Sequence, residues 1–283
     1  MMNALLPTML SRTLPKLSQA TIALTRQVSV CDEMGRVSTI SIPAERALTI
    51  YVDKRELVTL MTLGGNSELL VLGYLRNQRL IHDVTHIVSV QVDWEVGAAA
   101  VISLSGVDEI EERTAKKIVT TGCGQGTVFG ELMASLEGIQ IAESACVAQS
   151  VITRIVETIR TQPSVYKQAG SVHACALFSA QGTLLQFVED VGRHNAIDAI
   201  AGKMWLEGGQ GADKILYTTG RLTSEMVIKG AQMGIPILLS RSGATEMGLQ
   251  VALQLGISLF SRCSGKHFLL LSHPQRLVRD LLY

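Results

Sequence analysis

Hydrophobic and polar positions alternate over most of the first hundred residues, and past residue 145 they give way to short apolar runs separated by amphipathic stretches. Residues 21–30 and 37–42 alternate as half-buried strands do, and Asp32, Glu33 and Gly35 predict the turn between them. Residues 47–52 read as a further strand, entered past Pro43. Residues 66–77 carry Leu69, Leu70, Leu72, Gly73 and Leu75 at helical spacing behind an Asn/Ser start. Alternation returns at 86–94 and 97–104, so this half predicts a mixed α+β unit of mainly antiparallel strands.

The second half has another rhythm. Residues 145–161 place Ala148, Val151, Ile152, Ile155, Val156 and Ile159 on one helical face. Strands at 172–178 and 183–188 meet at Ala180-Gln181-Gly182, a hairpin signal. Helices at 195–206, 224–233 and 245–255 then alternate with strands at 214–218 and 236–240, and strands at 257–261 and 268–271 close the chain. Short buried strands alternating with helices predict an α/β layer with a largely parallel sheet. The expected division is a flexible tail (1–20), a smaller α+β domain (21–125) and an α/β domain (126–283).

Composition narrows the function classes. The hydrophobic share of 47% against 18% charged residues is that of a globular chain. A formal net charge of zero and 4% aromatic residues give no field or stacking surface for nucleic acid, so any anion site must be local. The five cysteines are odd in number and widely spaced, without a Cys-x-x-Cys pair or zinc-ligand spacing, which points to a reducing compartment and no structural zinc. No apolar run is long enough for a bilayer, and residues 1–20 read as a loose tail and not a signal peptide, so the expected location is the cytoplasm, away from membranes.

Cys123 stands out chemically. It lies in Thr120-Thr121-Gly122-Cys123-Gly124-Gln125-Gly126-Thr127, where glycines remove steric cover and present the sulfur to another molecule. Three strand-to-helix junctions form a second constellation: Asp190-Val191-Gly192-Arg193-His194-Asn195, Gly220-Arg221-Leu222-Thr223-Ser224, and Ser240-Arg241-Ser242-Gly243-Ala244-Thr245. Each joins an arginine and a glycine to a residue able to cap the next helix. Taken singly they are ordinary caps with solvated arginines. Three alike at the carboxyl ends of parallel strands favour an anionic, nucleotide-like ligand, bound by helix N-termini and guanidinium groups. Asp190 would then bond a base or ribose, and His194 would contact a phosphate or assist proton transfer, with a purely structural role for His194 equally open. The turn Arg262-Cys263-Ser264-Gly265-Lys266-His267 adds a local positive patch. Cys175 and Cys146, on an apolar strand and helix face, read as core residues. His173-Ala174-Cys175 is similar to the start of the zinc deaminase His-x-Glu motif, but Cys175 holds the glutamate position and no Pro-Cys-x-x-Cys follows, which argues against deamination.

Together these stretches resemble the FdhD family of formate dehydrogenase accessory sulfurtransferases. The resemblance rests on Thr121-Gly122-Cys123-Gly124, Val172-His173-Ala174, the run Glu189-Asp190-Val191-Gly192-Arg193-His194-Asn195-Ala196-Ile197-Asp198, Gly220-Arg221 with Glu225-Met226, Gly234-Ile235-Pro236, and Ser240-Arg241-Ser242. It covers the chain from about residue 26 onward. It implies a cytidine-deaminase-like three-layer C-terminal domain, a homodimer, and sulfur taken from a cysteine desulfurase as a persulfide on Cys123. That sulfur passes to the molybdenum of bis(molybdopterin guanine dinucleotide), bound through its GDP-like part, for formate dehydrogenase as client. The resemblance places the turn from Arg262 to His267 against the same cofactor. One departure matters: many members carry a second loop cysteine where Gly126 stands here, so a mechanism through an internal disulfide has no partner thiol in the loop. Two alternatives are a molybdenum-cofactor carrier that transfers no sulfur and a zinc-free, deaminase-like nucleotide-binding protein.

Overall fold

The computed structural model describes residues 13–104, 136 and 138–281. Cys123 and the expected domain boundary at residues 125 and 126 lie outside the described residues, as do the first twelve residues of the expected tail. Fifteen strands and six α-helices follow in the described chain. The first half contains β1 (Lys16–Leu17), β2 (Thr25–Cys31), β3 (Val37–Pro43), β4 (Arg46–Val52), β5 (Arg55–Thr62), α1 (Ser67–Asn77), β6 (Ile87–Asp93) and β7 (Ala98–Ser103). The second contains β8 (Val147–Ala148), α2 (Gln149–Thr161), α3 (Val165–Ala169), β9 (His173–Ser179), β10 (Leu184–Asp190), α4 (Arg193–Glu207), β11 (Lys214–Thr218), α5 (Ser224–Gln232), β12 (Ile237–Ser240), α6 (Glu246–Leu255), β13 (Ser258–Ser264), β14 (His267–Leu270) and β15 (Leu277–Val278).

The first sheet has the order β1-β6-β7-β4-β5, with α1 laid on one face over Leu48, Ile50, Val58, Val90 and Val101. Its pairings are mixed: β4–β5 and β6–β7 are antiparallel, whereas β1–β6 and β4–β7 are parallel. That differs from the mainly antiparallel expectation, because the β6–β7 hairpin comes after α1 and sets β7 beside β4, and β1 adds to the far edge along β6. β2 and β3 form a separate two-stranded ribbon.

The second sheet has the order β10-β9-β11-β12-β13-β14. Only the β11–β12 and β12–β13 pairings are parallel; β9, β10 and β14 join by antiparallel pairing, so the sheet is mixed and not largely parallel. Alternate residues of its buried strands point to opposite faces. Leu177, Leu216, Leu238 and Leu259 pack under α4, α5 and α6, while Phe178, Tyr217, Leu239 and Phe260 pack under α2. The result is a mixed α/β protein with helices on both faces of this sheet. No helix among the described residues is long and apolar enough to cross a membrane.

The two sheets are joined by α1 crossing α4. α4 is buried on most sides, as the run Ala196-Ile197-Asp198-Ala199-Ile200-Ala201 allows, and it meets α1 backbone to backbone. A Cβ on Gly73 would lie 1.7 Å from the Asp198 carbonyl oxygen, and one on Gly202 would lie 2.0 Å from the Leu69 carbonyl oxygen. Beside the crossing, buried Asp198 accepts from Asn77 Nδ2 at 2.6 Å and Lys229 Nζ at 2.8 Å, linking α4 to α1 and α5. Such a pair is desolvated on both sides, so its value is in fixing one arrangement more than in net energy. Arg76 Nη2 adds a bond to the Gln232 carbonyl at 2.9 Å.

Gly202→Ala should therefore destabilise the protein by about 3 kcal/mol, the upper part of the range for overpacking, although alanine is the better helix former. Urea unfolding measures this, and an unchanged midpoint would contradict the close crossing.

Candidate functional site

Strand direction gathers the chemistry at one end of the second sheet. β10 is antiparallel to β9, and β9 is antiparallel to β11, so β10 runs with β11, β12 and β13. The loops leaving β10, β11 and β12, and the last residues of β13, therefore reach one rim, where β9 also begins at His173. Backbone bonds lace these segments together: Thr219 N to Ala174 O, Arg241 N to Thr218 O, Leu222 N to Gly243 O, and Arg262 N to Ser242 O, all at 2.8–3.0 Å. The three arginine-bearing junctions expected to share one side do so, and Arg262 joins them.

Asp190 organises the first junction. It is 5% exposed, and its carboxylate accepts from Thr62 Oγ1 at 2.5 Å, Leu63 N at 3.1 Å, Gly192 N at 3.0 Å and Asn195 Nδ2 at 2.8 Å. Burial holds its pKa above the ordinary carboxylate value, and these donors act the other way. The carboxylate expected to meet a base or ribose is thus engaged inside the protein, and its role here is to position the loop. Asn195, expected as a helix cap, lies within the first turn of α4 and also donates to Met61 O at 2.7 Å. Gly192 is the N-cap and leaves the first turn of α4 without a side-chain acceptor. Thr223 at the start of α5 also makes no side-chain capping bond, whereas Thr245 Oγ1 caps α6 through Gly248 N at 3.2 Å.

Arg193 and Gly220 are matched. A Cβ on Gly220 would sit 2.8 Å from Arg193 Cδ, so only glycine lets the arginine stem lie across this loop. Ser240 is fully buried; its hydroxyl donates to Gly220 O at 2.7 Å and accepts from Ser242 N at 2.9 Å, bracing the second and third junctions. Arg221 and Arg241 are exposed, and Ser242 is half-buried. Arg262 is exposed as well and sits in a register shift of β13 with φ 53°, a left-handed conformation that turns its side chain outward. Ser264, Gly265, Lys266 and His267 follow in an exposed turn.

The same shift turns Cys263 inward. It is 1% exposed within the apolar cluster under α2, and burial pushes its thiol up to about 12, so it does not share the ligand-facing position expected for this turn. Cys175 is wholly buried below the rim, 3.4 Å from Thr218 Oγ1, and burial likewise raises it to about 12. Cys146 differs from its core expectation: it precedes α2 and is exposed. The residues that sequence reasoning missed are Thr62, Leu63 and Met61 at the end of β5, since nothing in that run marks a contact with residue 190, far along the chain.

His194 Nε2 lies 3.3 Å from Glu225 Oε2 without hydrogen-bond alignment. Burial, then the positive charges of Lys229 and Arg193 and neighbouring His173, depress its pKa to about 3. The imidazole is therefore neutral at physiological pH. His173 is shifted in the same direction, first by burial and then by Arg193.

These features define an α/β protein with an arginine-bearing rim at the carboxyl ends of four strands that run in the same direction. The chain belongs to the FdhD/NarQ family, whose model matches residues 43–278. It is 31% identical over 241 residues to the sulfur carrier protein FdhD of Listeria monocytogenes, spanning 84% of this chain and 92% of that relative. The sulfur carrier protein FdhD of Saccharolobus solfataricus is 33% identical over 234 residues, spanning 81% and 86%. A crystal structure from Desulfotalea psychrophila, assigned as a formate dehydrogenase accessory protein, superposes with a TM-score of 0.71 at 26% identity, covering 90% of this chain and 98% of that one.

The depressed histidine makes a pH prediction. A group whose folded pKa lies below its unfolded value binds fewer protons when folded, so its contribution is complete above about pH 6.5 and is lost as pH falls toward 3. His194→Gln should weaken the acid sensitivity of unfolding in that window. In NMR titration the His194 ring should keep neutral shifts from pH 8 to about 5; titration near 6.5 would contradict the buried setting.

Proposed function

We propose that this chain is a sulfur carrier for the maturation of formate dehydrogenase, loading sulfur on Cys123 and serving a phosphate-rich cofactor at the arginine rim. The observation that carries this reading is the convergence of Arg193, Arg221, Arg241 and Arg262 on one rim, in a chain of a family whose relatives are named sulfur carriers. Guanidinium groups and the uncapped N-terminus of α4 supply bidentate donors and a positive dipole end to pyrophosphate oxygens. In this reading the substrate is bis(molybdopterin guanine dinucleotide) carrying its molybdenum. Ser242, Ser264, Gly265, Lys266 and His267 border its GDP-like part, and the neutral His194 stays uncharged beside the phosphates.

The sulfur step needs no metal of the protein's own. The Cys123 thiolate attacks the outer sulfur of a persulfide on a cysteine desulfurase; a new S–S bond forms, the donor's S–S bond breaks, and the donor cysteine leaves as thiolate. Oxidation level is conserved overall. With Gly126 in the loop, no neighbouring loop thiol resolves the persulfide, and Cys123 carries the sulfur alone. The chain works as a cytoplasmic homodimer on a cytidine-deaminase-like scaffold in which Cys175 has replaced the proton-shuttling glutamate. The competing reading is a carrier in which Cys123 ligates the metal transiently and transfers no sulfur; labelled sulfur appearing on Cys123 after incubation with a desulfurase would count against it.

Cys123→Ala should keep fold and nucleotide affinity and abolish maturation of formate dehydrogenase in cells; full activity with this variant would overturn the proposal. Arg193→Ala should lower affinity for guanosine diphosphate about tenfold or more, as expected for loss of a charge-assisted bond. Calorimetry reads this, and an unchanged constant would remove Arg193 from the site.

A further inference from the structure

The β2–β3 ribbon stands apart from both sheets. Among the described residues its strands pair only with each other, without a bulge from Thr25↔Pro43 to Cys31↔Val37. Two strands alone are marginal in water, where three or more with an apolar face are needed. The ribbon has a largely apolar face: Val28 and Val30 alternate onto the same side as Ile40 and Ile42, with Val28 directly across from Ile40, and Arg26 and Ser38 lie at the two ends of that face. Ile40 is 45% exposed and Ile42 38%. The outer edge of β2 meets no described strand, and along it Thr25-Arg26-Gln27-Val28-Ser29-Val30-Cys31 bears one charge and no proline. Proteins normally blunt an open edge with charges, prolines or bulges. Here none of these is supplied beyond Arg26.

We propose that β2 is the seam where two copies of this chain join, edge to edge and antiparallel, about a twofold axis through Val28. This rests on the homodimer of the preceding reading and assigns its surface. Only an axis through a residue places the two apolar faces on one side, since a shift by one residue turns every side chain over. Val28 is the middle residue of β2, so that axis pairs the whole strand: Val28 with Val28, Gln27 with Ser29, Arg26 with Val30 and Thr25 with Cys31. The lone charge thus faces an uncharged residue, and the edge complements itself, as an isologous contact requires. The product is a four-stranded sheet with Val28, Val30, Ile40 and Ile42 of each copy on one face. The seam is tied to the rim as well. α3 lies beside β3, and its Val165 and Tyr166 N–H groups donate to Glu189, next to Asp190, at 2.6 and 3.0 Å.

The test uses the full chain, with sedimentation velocity and mild oxidation by oxidised glutathione. The wild-type protein should sediment as a dimer. Val28→Cys should link to its own copy across the axis, and Thr25→Cys should link to the native Cys31 of the other copy, since facing pairs fall within disulfide reach. Gln27→Cys should stay unlinked, because its nearest cysteines lie diagonally, at or beyond the limit of that reach. A dimer that links at Gln27→Cys, or at neither predicted position, would overturn the seam and leave the homodimer standing. A monomer at all concentrations would overturn both, and pairing only with another protein would appear as that result. Sulfur loading of Cys123 is read separately and does not depend on either outcome.

Discussion

Asp190 is buried where the two sheets meet, and its carboxylate accepts four hydrogen bonds, two from each side of that junction. Desolvation alone would disfavour the ionised form, so the site depends on Thr62, Leu63, Gly192 and Asn195 being in place together. Once they are, the loop before α4 has one conformation. Arg193 then lies across Gly220, Asn195 reaches back to Met61, and His194 comes beside Glu225. The close crossing of α1 over α4 holds the two halves at the separation this carboxylate needs. Fold and site thus share one constraint: residues from the end of β5 must meet the start of α4.

The rim divides its ionisable groups by environment. Arg221, Arg241 and Arg262 are exposed, whereas the pKa values of the histidines nearest the rim are lowered first by burial and then by neighbouring cations, Arg193 among them. The thiols below the rim are made inert in a parallel way, because Cys175 and Cys263 are desolvated and pushed up to about 12. Neither is a nucleophile at neutral pH. In the proposed sulfur-carrier role the reactive thiol is therefore neither of these, and Cys123 among its glycines is the candidate for it. An arrangement rich in fixed positive charge, with its buried thiols silent, suits delivery to an anionic cargo.

Much of the fold was legible in the sequence because its second half follows strong periodicities. The strand at Lys214–Thr218 matched residue for residue, and the helices that follow it were displaced by a residue at most. β5 was not legible. Its hairpin turns at Asp53-Lys54, both at positive φ without a glycine, so the usual Asn-Gly or Asp-Gly signal is missing. The five-residue α3 and the two-residue pair β8–β15 are too short to leave a pattern. At the site, the arginine junctions were visible as repeated local motifs, and their shared rim followed from strand order. The inward turn of Cys263 was not, because it depends on a bulge at a non-glycine residue. Nor was the internal commitment of Asp190, whose partners Thr62 and Leu63 carry no local mark of a contact so distant in sequence.

In the proposed cycle Cys123 carries the sulfur. Intact-protein mass spectrometry after incubation with a cysteine desulfurase and cysteine addresses it directly. The expected result is a gain of about 32 Da, one sulfur atom, mapped to Cys123 and removed by reductant. Sulfur found only on Cys31 or Cys146, or no gain at all while the desulfurase turns over, would contradict it.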